Sequence, residues 1–231
     1  MTSPDKLITR TGGQLLVDAL KVHGVDMAFG VPGESYLSVL DSLHDAQDQI
    51  KFIICRQEGG AANMAEAYGK LTGRPGICFV TRGPGATNAS IGLHTAFQDS
   101  TPLILFIGQI DTEYTERESF QEIDYRRMYG QMAKWVAQID RADRVPEMVS
   151  HAFHLAVSGR PGPVVLALPE DMLRERVSIA DALPYEQVET WPGLTDMAKL
   201  QKLLWASKQP MILLGGSRWS EAACAAVARF A

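Results

Sequence analysis

The sequence predicts an α/β fold: a mostly parallel, six-stranded sheet with helices on both faces. Strand-like and helix-like segments alternate through residues 1–170, and this order is typical of parallel sheets. The predicted strands are continuous apolar runs, such as 77–80 and 103–107, rather than alternating apolar and polar residues. Strands that are covered on both faces have this composition. The 231 residues suit one large domain or one and a half.

The individual elements follow from spacing and from turn residues. Leu16, Ala19 and Leu20 share one face of a predicted helix over 11–23, with Thr11 as a possible cap and Gly24 as its end. Glycine-rich or proline-rich turns separate most of the later elements. These are strand 25–31, a helix through 37–43, strand 51–55, helix 58–71, strand 76–81, helix 88–97, strand 102–108, helix 144–157 and strand 164–168.

The composition changes after the last of these strands. Residues 171–194 contain a charged segment, Pro184 and a Trp-Pro-Gly sequence, and are predicted to form an interdomain linker. Residues 195–231 are predicted to begin a second α/β domain, with helix 197–207, strand 211–215 and helix 221–231. Two helices and one strand cannot bury a core of their own. We therefore expect this second domain to be truncated.

Bulk properties exclude several classes of function. A net charge of −5 and a pI near 5.6 argue against nucleic acid as a partner. The amino terminus lacks a secretory h-region, and no apolar run reaches the roughly 20 residues of a membrane helix. Cys55, Cys78 and Cys224 lie in apolar surroundings without metal-ligand spacing. We expect buried free thiols, a cytoplasmic location and no metal ligands in this chain.

Two polar segments follow predicted strands. Glu58 comes after strand 51–55, and Gly-Pro-Gly-Ala-Thr-Asn (83–88) comes after strand 76–81. Ligands bind beyond the carboxyl ends of strands in open α/β sheets. Taken alone, Glu58 could cap or complement a helix dipole. Residues 83–88 could be a turn capped by Thr87 or Asn88, or a phosphate cradle, but Asn88 replaces the third glycine of a dinucleotide fingerprint.

Five ordered motifs carry a resemblance to a known family. They are Phe-Gly-Val-Pro-Gly (29–33), Arg-Gln-Glu-Gly-Gly (56–60), Gly-Pro-Gly-Ala-Thr-Asn (83–88), Ser-Phe-Gln-Glu (119–122) and Ser-Gly-Arg-Pro-Gly-Pro-Val (158–164). Together they resemble the pyrimidine-binding domain of thiamine-diphosphate enzymes, in particular the acetolactate (acetohydroxyacid) synthase branch. The likeness spans residues 10–170.

The resemblance implies roles for the matching residues. Glu58 matches the glutamate that shares a proton with N1′ of the aminopyrimidine and thereby promotes formation of the thiazolium ylid. Gln121 matches a glutamine near the active centre, and Phe120 a phenylalanine of the substrate pocket. Taken singly, Gln121 could be a solvated loop residue and Phe120 buried apolar surface. The remaining matches are cofactor-binding positions, namely Pro32, Gly33, Pro84 and Asn88. Arg160 matches an arginine that contacts FAD in acetolactate synthases. Taken singly, Arg160 could also be a surface turn residue.

Three positions depart from the pattern of the acetolactate synthases. Arg82 stands where they usually have Ser, and Glu170 where they usually have Lys. Val31 replaces an aromatic residue that is common before the Pro-Gly turn. These changes add one positive charge, reverse another charge and shrink a side chain. They bear on the substrate more than on the cofactor.

The second half-site of the family is not found in this sequence. That half-site is a Gly-Asp-Gly motif followed by Asn, which holds Mg²⁺ and through it the diphosphate, and the 231 residues contain no Gly-Asp-Gly. We expect a fragment of a longer protein, or a partner polypeptide that carries the missing half.

The predicted activity is that of a carboligase or decarboxylase acting on a 2-oxo acid, in a homodimer or homotetramer with the site between subunits. A non-catalytic binding module or partner subunit is the alternative. A nucleotide-binding protein is disfavoured because there is neither a Walker loop nor an intact Gly-x-Gly-x-x-Gly motif.

Overall fold

The computed structural model describes residues 8–216 and 219–231. The strands are β1 (Thr9–Thr11), β2 (Met27–Gly30), β3 (Lys51–Ile54), β4 (Gly76–Val80), β5 (Leu103–Gln109), β6 (Trp135–Gln138), β7 (Pro163–Pro169) and β8 (Arg176–Ser178). The helices are α1 (Gly12–Val22), α2 (Leu37–Asp45), α3 (Glu58–Thr72), α4 (Pro84–Asp99), α5 (Tyr125–Tyr129), α6 (Val145–Val157), α7 (Glu170–Arg174), α8 (Leu194–Ala206) and α9 (Glu221–Phe230).

Six strands form one sheet in the order β3-β2-β4-β5-β7-β6, and every neighbouring pair is parallel. The predicted parallel, six-stranded sheet is therefore confirmed, although only five of its six strands were located in the sequence. A separate antiparallel pair joins β1 to β8, with Thr9 opposite Ser178. Because β1 opens the described chain and β8 follows the last sheet strand, this pair brings the two ends of the unit together.

Helices cover both faces of the sheet, as the continuous apolar strands predicted. Residues from α1, α2 and α6 pack on one face against Phe79 and Phe106, whose rings stack at 4.8 Å between centroids. Residues from α3, α4 and α5 pack on the other face against Cys78 and Leu105. Cβ atoms alternate along each strand, so consecutive residues of β4 enter different cores.

Capping and small residues explain two local features. The predicted cap Thr11 is confirmed, because its hydroxyl accepts from Gln14 N at 3.2 Å while the Gln14 side chain accepts from Thr11 N. Helix α3 lies close to β4 because Gly76 carries no Cβ. A Cβ built there would stand 1.8 Å from the carbonyl oxygen of Ala65.

Several elements differ from the prediction. Strand β6 and the pair β1–β8 were not predicted, and residues 211–215, predicted as a strand, are in no strand. A strand needs a hydrogen-bonded neighbour, and among the described residues this segment pairs with no strand. Cys55 and Cys78 are buried as predicted, but Cys224 is exposed, since α9 has no buried residue. Met64 of α3 is also exposed.

The carboxyl-terminal part contributes little to the described cores. Neither α8 nor α9 has a buried residue, and residues 179–193 are in no helix or strand. The proposed boundaries at 170 and 194 stay a prediction, although α7 and β8 of the predicted linker pack with the first unit. Among the described helices, none combines the length and the apolar composition that crossing a membrane requires.

Candidate cofactor site at the carboxyl edge of the sheet

Glu58 is the first residue of α3 and lies just beyond the carboxyl end of β3. The cap of this helix is the preceding residue, because the Gln57 side chain accepts a hydrogen bond from Gly60 N at 2.9 Å. The interpretation of Glu58 as a capping residue is therefore wrong. Its half-buried carboxylate still lies at the positive end of the helix dipole, a position that favours its negative charge.

Asn88 holds one oxygen of this carboxylate. Its side-chain Nδ2 donates to Oε2 of Glu58 at 3.0 Å, from the second turn of α4. The other oxygen, Oε1, receives no hydrogen bond from residues 8–216 or 219–231 and faces Gly85. A Cβ built on Gly85 would stand 3.5 Å from that oxygen and 2.8 Å from Thr81 Cγ2. The glycine keeps open a space beside a carboxylate oxygen that is free to bind a ligand.

The turn before α4 is built by Gly83 and Pro84. Gly83 adopts φ +55°, a conformation that favours glycine, and Pro84 occupies the first turn of the helix, where its missing N–H costs nothing. The suggestion that Thr87 or Asn88 caps α4 is wrong: Thr87 Oγ1 donates back to Gly83 O at 3.0 Å. Asn88 is thereby left for Glu58.

Pro32 and Gly33 lie next to this turn, after β2. A Cβ on Gly33 would meet the side chain of Thr81 at 2.6 Å, so close approach explains the glycine. Ser35 Oγ and Thr81 Oγ1 share a hydrogen bond of 2.8 Å that ties the two loops together. Pro32 is exposed at the rim.

The loop containing Phe120 and Gln121 docks on the other side of the turn. A Cβ on Gly83 would stand 2.7 Å from Gln121 Cβ, and Gly83 N donates to the Tyr125 hydroxyl at 3.0 Å. Gln121 has φ +65°, unusual for a non-glycine residue. The Phe120 side chain is 73% exposed, so its interpretation as buried apolar surface is wrong.

Arg82 and Glu170, the two charged departures from the family pattern, form an ion pair. Arg82 Nη1 lies 2.6 Å from Glu170 Oε1, and Arg82 Nε donates to the carbonyl oxygen of Phe120 at 3.2 Å. The sequence places them 88 residues apart. Their opposite charges after two strands were a signal for the pair, whereas nothing in the sequence marked Tyr125.

Arg160 lies away from this group. It precedes β7 and donates to the carbonyl oxygens of Phe97 and Gln98, both at 3.1 Å, at the end of α4. Its Nε donates to Ser100 Oγ at 2.7 Å. These contacts place it at the amino edge of the sheet, opposite Glu58. Arg160 is exposed in the turn before β7, as its alternative interpretation as a surface turn residue has it.

Aromatic hydroxyls around the site stay neutral over the physiological range. Burial raises the pKa of Tyr125 to about 12, against the opposing effects of the Gly83 N–H and the Arg82 charge. Burial, then the charges of Cys78 and Glu58, raises the pKa of Tyr36. The Tyr36 hydroxyl donates to the carbonyl oxygen of Val31. In the described part of the chain, no group of three or more His, Cys, Asp or Glu side chains could hold a metal ion.

Comparisons with known proteins point to one family. Residues 10–128 match the family model "Thiamine pyrophosphate enzyme, N-terminal TPP binding domain", TPP being thiamine diphosphate. The chain is 33% identical over 216 residues to the mitochondrial acetolactate synthase catalytic subunit of Saccharomyces cerevisiae, covering 89% of this chain and 31% of that protein.

Two bacterial proteins are similar to the same extent. The acetolactate synthase large subunit of Lactococcus lactis is 37% identical (89% of this chain, 36% of the relative). The acetolactate synthase isozyme 2 large subunit of Escherichia coli is 34% identical (89% of this chain, 37% of the relative). The chain thus spans about a third of the length of these relatives. The matched model covers more than half of the chain, and the chain therefore belongs to the thiamine pyrophosphate enzymes, of which it contains the N-terminal TPP-binding domain.

Proposed function

We propose that this chain supplies the aminopyrimidine half-site of a thiamine-diphosphate-dependent carboligase or decarboxylase that acts on a 2-oxo acid. The carrying observation is the Glu58 carboxylate, which is held by Asn88 through Oε2 and left open at Oε1 beside Gly85. Similarity to acetolactate synthase subunits supports the substrate class.

In this proposal, Glu58 holds a proton between its open oxygen and a ring nitrogen of the cofactor. Asn88 orients the carboxylate, and the absence of a Cβ at Gly85 admits a flat ring. Pro32, Gly33 and Pro84 form the adjoining wall, while Gln121 and Phe120 lie on the side where a substrate would enter. The bound cofactor supplies the carbanion chemistry, and the protein supplies orientation and the acid–base group.

The second half of the site is proposed to lie outside this chain. Mg²⁺ and the diphosphate would be held there, since the 231 residues contain no Gly-Asp-Gly motif. Exposed apolar side chains near the carboxyl edge, including Ile54 and Leu37, suit a surface that another subunit covers. We also propose that the complete protein is a homodimer or homotetramer in the cytoplasm. FAD is also proposed on family grounds, although Arg160 would have to exchange its present partners to bind it.

The test is the Glu58→Gln variant of the full-length protein. The amide retains a hydrogen bond to the cofactor but cannot share a proton in the same way. Exchange of the thiazolium C2 proton of the bound cofactor, followed by quenched-flow NMR, should slow by roughly 10²–10⁴, the usual effect of a positioned acid–base group.

Gln57→Ala is the matched control, since it removes the cap and leaves the carboxylate. It should lower the free energy of unfolding by about 0.5–2 kcal/mol and leave C2 exchange unchanged. Wild-type exchange in Glu58→Gln would leave Glu58 a structural residue and contradict the proposed role.

A further inference from the structure

Arg82 is a buried arginine at the centre of the carboxyl edge. Its side chain is 10% exposed, and its Nη1 pairs with Glu170 Oε1 at 2.6 Å. Arg82 follows β4 and Glu170 follows β7, and the sheet order places β5 between these strands. The ion pair therefore bridges the end of β5 and links segments that are not neighbours in the sheet.

The same guanidinium fixes a loop. Arg82 Nε donates at 3.2 Å to the carbonyl oxygen of Phe120, and the next residue, Gln121, packs on Gly83. The third arm, Nη2, has a longer contact of 3.5 Å with Glu34, whose side chain is 74% exposed. Arg82 thus joins the loop after β5 to the turn that faces Glu58.

Glu170 determines the orientation of this guanidinium. A buried cation requires a partner, and the carboxylate, 28% exposed, provides one while staying partly hydrated. The guanidinium is planar with fixed donor directions, so binding Nη1 at Glu170 also directs Nε. A lysine in this place is a single point charge and could not hold both partners in the same way.

We propose that Arg82, oriented by Glu170, is a positioning residue that holds residues 120–121 against the 83–85 turn and thereby shapes the substrate side of the site. The link to substrate rests on the proposed function. The link to the loop rests on the hydrogen bonds and can be tested without activity.

The first experiment measures loop opening in the full-length protein. Trypsin can cut after Arg117, which is exposed within this loop, and after Arg141, an exposed reference site elsewhere. In Arg82→Met, the cleavage rate at Arg117 relative to Arg141 should rise about tenfold, equivalent to roughly 1.4 kcal/mol. Glu170→Gln keeps a hydrogen-bond acceptor and should give a smaller rise in the cleavage ratio. This variant tests the proposal if Arg82→Met does not fold. Arg144→Met removes an exposed ion pair between the residue that precedes α6 and Glu147 in its first turn, and should not change the cleavage rate at Arg117.

The second experiment separates positioning from cofactor activation. With pyruvate as the probe 2-oxo acid, Arg82→Met should lower kcat/KM by roughly 10–10², the effect expected of misplaced reacting groups. C2 exchange of the bound cofactor should stay near wild type, because Glu58 and Asn88 are untouched. A merely structural role would instead lower both readouts together.

The outcomes are distinct for the two proposals. An unchanged Arg117 cleavage ratio in folded Arg82→Met and Glu170→Gln would overturn the positioning role, whatever the enzyme does. A raised ratio with kcat/KM and C2 exchange lowered to the same extent would overturn the substrate-side assignment. If Glu58→Gln shows wild-type exchange, the proposed function fails, while the cleavage ratio still decides whether Arg82 holds the loop.

Discussion

Two adjacent residues divide two tasks at the start of α3. Gln57 satisfies a free N–H of the first turn by accepting from Gly60 N, and Glu58 contributes its carboxylate to the edge of the sheet. A carboxylate that capped the helix would have its oxygens directed at the backbone. Because an amide performs that task, Glu58 is available to Asn88 and to a ligand.

His23 is a second residue whose position has a measurable consequence. It is 6% exposed, stacks on Phe153 at 4.5 Å, and its Nδ1 accepts from Tyr185 N at 3.1 Å. Burial, followed by the nearby charge of His154, lowers the pKa of His23 to about 4. Its other ring nitrogen is buried without a hydrogen-bond partner in the described chain. The neutral ring therefore anchors the segment after β8.

We predict that His23 makes folding less favourable in mild acid. Below pH 6.5 the unfolded chain binds a proton at His23, whereas the native ring stays neutral down to about pH 4. The free energy of unfolding should fall over this window, by up to roughly 3 kcal/mol from this group. Urea unfolding of wild type and His23→Phe between pH 7 and 4 measures it. If the free energy of unfolding has the same slope against pH in both proteins, the prediction is contradicted.

The close approach of α3 and α4 is the element-scale feature that brings Glu58 to Asn88. Gly92 of α4 lies directly on α3, and a Cβ there would stand 2.6 Å from Cβ of Ala62. Gly60, although part of the same Gly-Gly pair as Gly59, faces open space. The helix pair therefore depends on some of its small residues and not on others.

We predict opposite effects for two glycine-to-alanine substitutions. Gly92→Ala should lower the free energy of unfolding by about 1–3 kcal/mol, because the added methyl overpacks the contact between the helices. Gly60→Ala, the matched control on α3, should raise it by about 0.4–1 kcal/mol, because it restricts the unfolded chain without a clash. Chemical denaturation checks both. Equal effects would show that helix propensity, and not helix contact, dominates.

Strands were predictable where both faces are covered. The apolar runs of β4 and β5 were located to within one residue, because burial on both faces excludes polar side chains. Strand β6 is a half-buried edge strand of mixed polarity, and periodicity does not mark it. Residues 211–215 show the reverse: an apolar run without a neighbouring strand stays irregular.

The site was predictable where the topology alone brings residues together. Glu58 and the 83–88 turn both follow predicted strands, so their common place at the carboxyl edge was expected from element order. The hydrogen bond between Asn88 and Glu58 was not predicted. The cap at Gln57, the hydroxyl of Tyr125 and the reach of Arg82 to Glu170 depend on side-chain conformation. Arg160 shows that a motif match can lie at the opposite edge from the site.

At the scale of the whole molecule, the proposed function assigns one half of a site to this chain. Among the described residues, no cluster suitable for a metal accompanies the open oxygen of Glu58. Helices α8 and α9 follow without buried residues. In the proposed function, these residues orient a flat ring, and the groups that bind the diphosphate lie outside this chain.

We predict that residues 1–231 alone bind thiamine diphosphate weakly and without dependence on Mg²⁺. The cation and the diphosphate contacts that supply most of the charge neutralisation are proposed to lie elsewhere. Isothermal titration calorimetry with and without Mg²⁺ measures this, with the full-length protein as the positive control. Tight, Mg²⁺-dependent binding to residues 1–231 would contradict the half-site proposal.

The antiparallel pair β1–β8 has a consequence for synthesis on the ribosome. Thr9 pairs with Ser178, so β1 is synthesised about 170 residues before its partner strand and stays unpaired until then. At roughly 5–20 residues per second, that delay is on the order of ten to thirty seconds. During this interval the sheet can assemble strand by strand while β1 is unpaired. The β1–β8 pair therefore forms only after the whole unit has emerged. A stalled nascent chain that ends before residue 178 would not contain this pair.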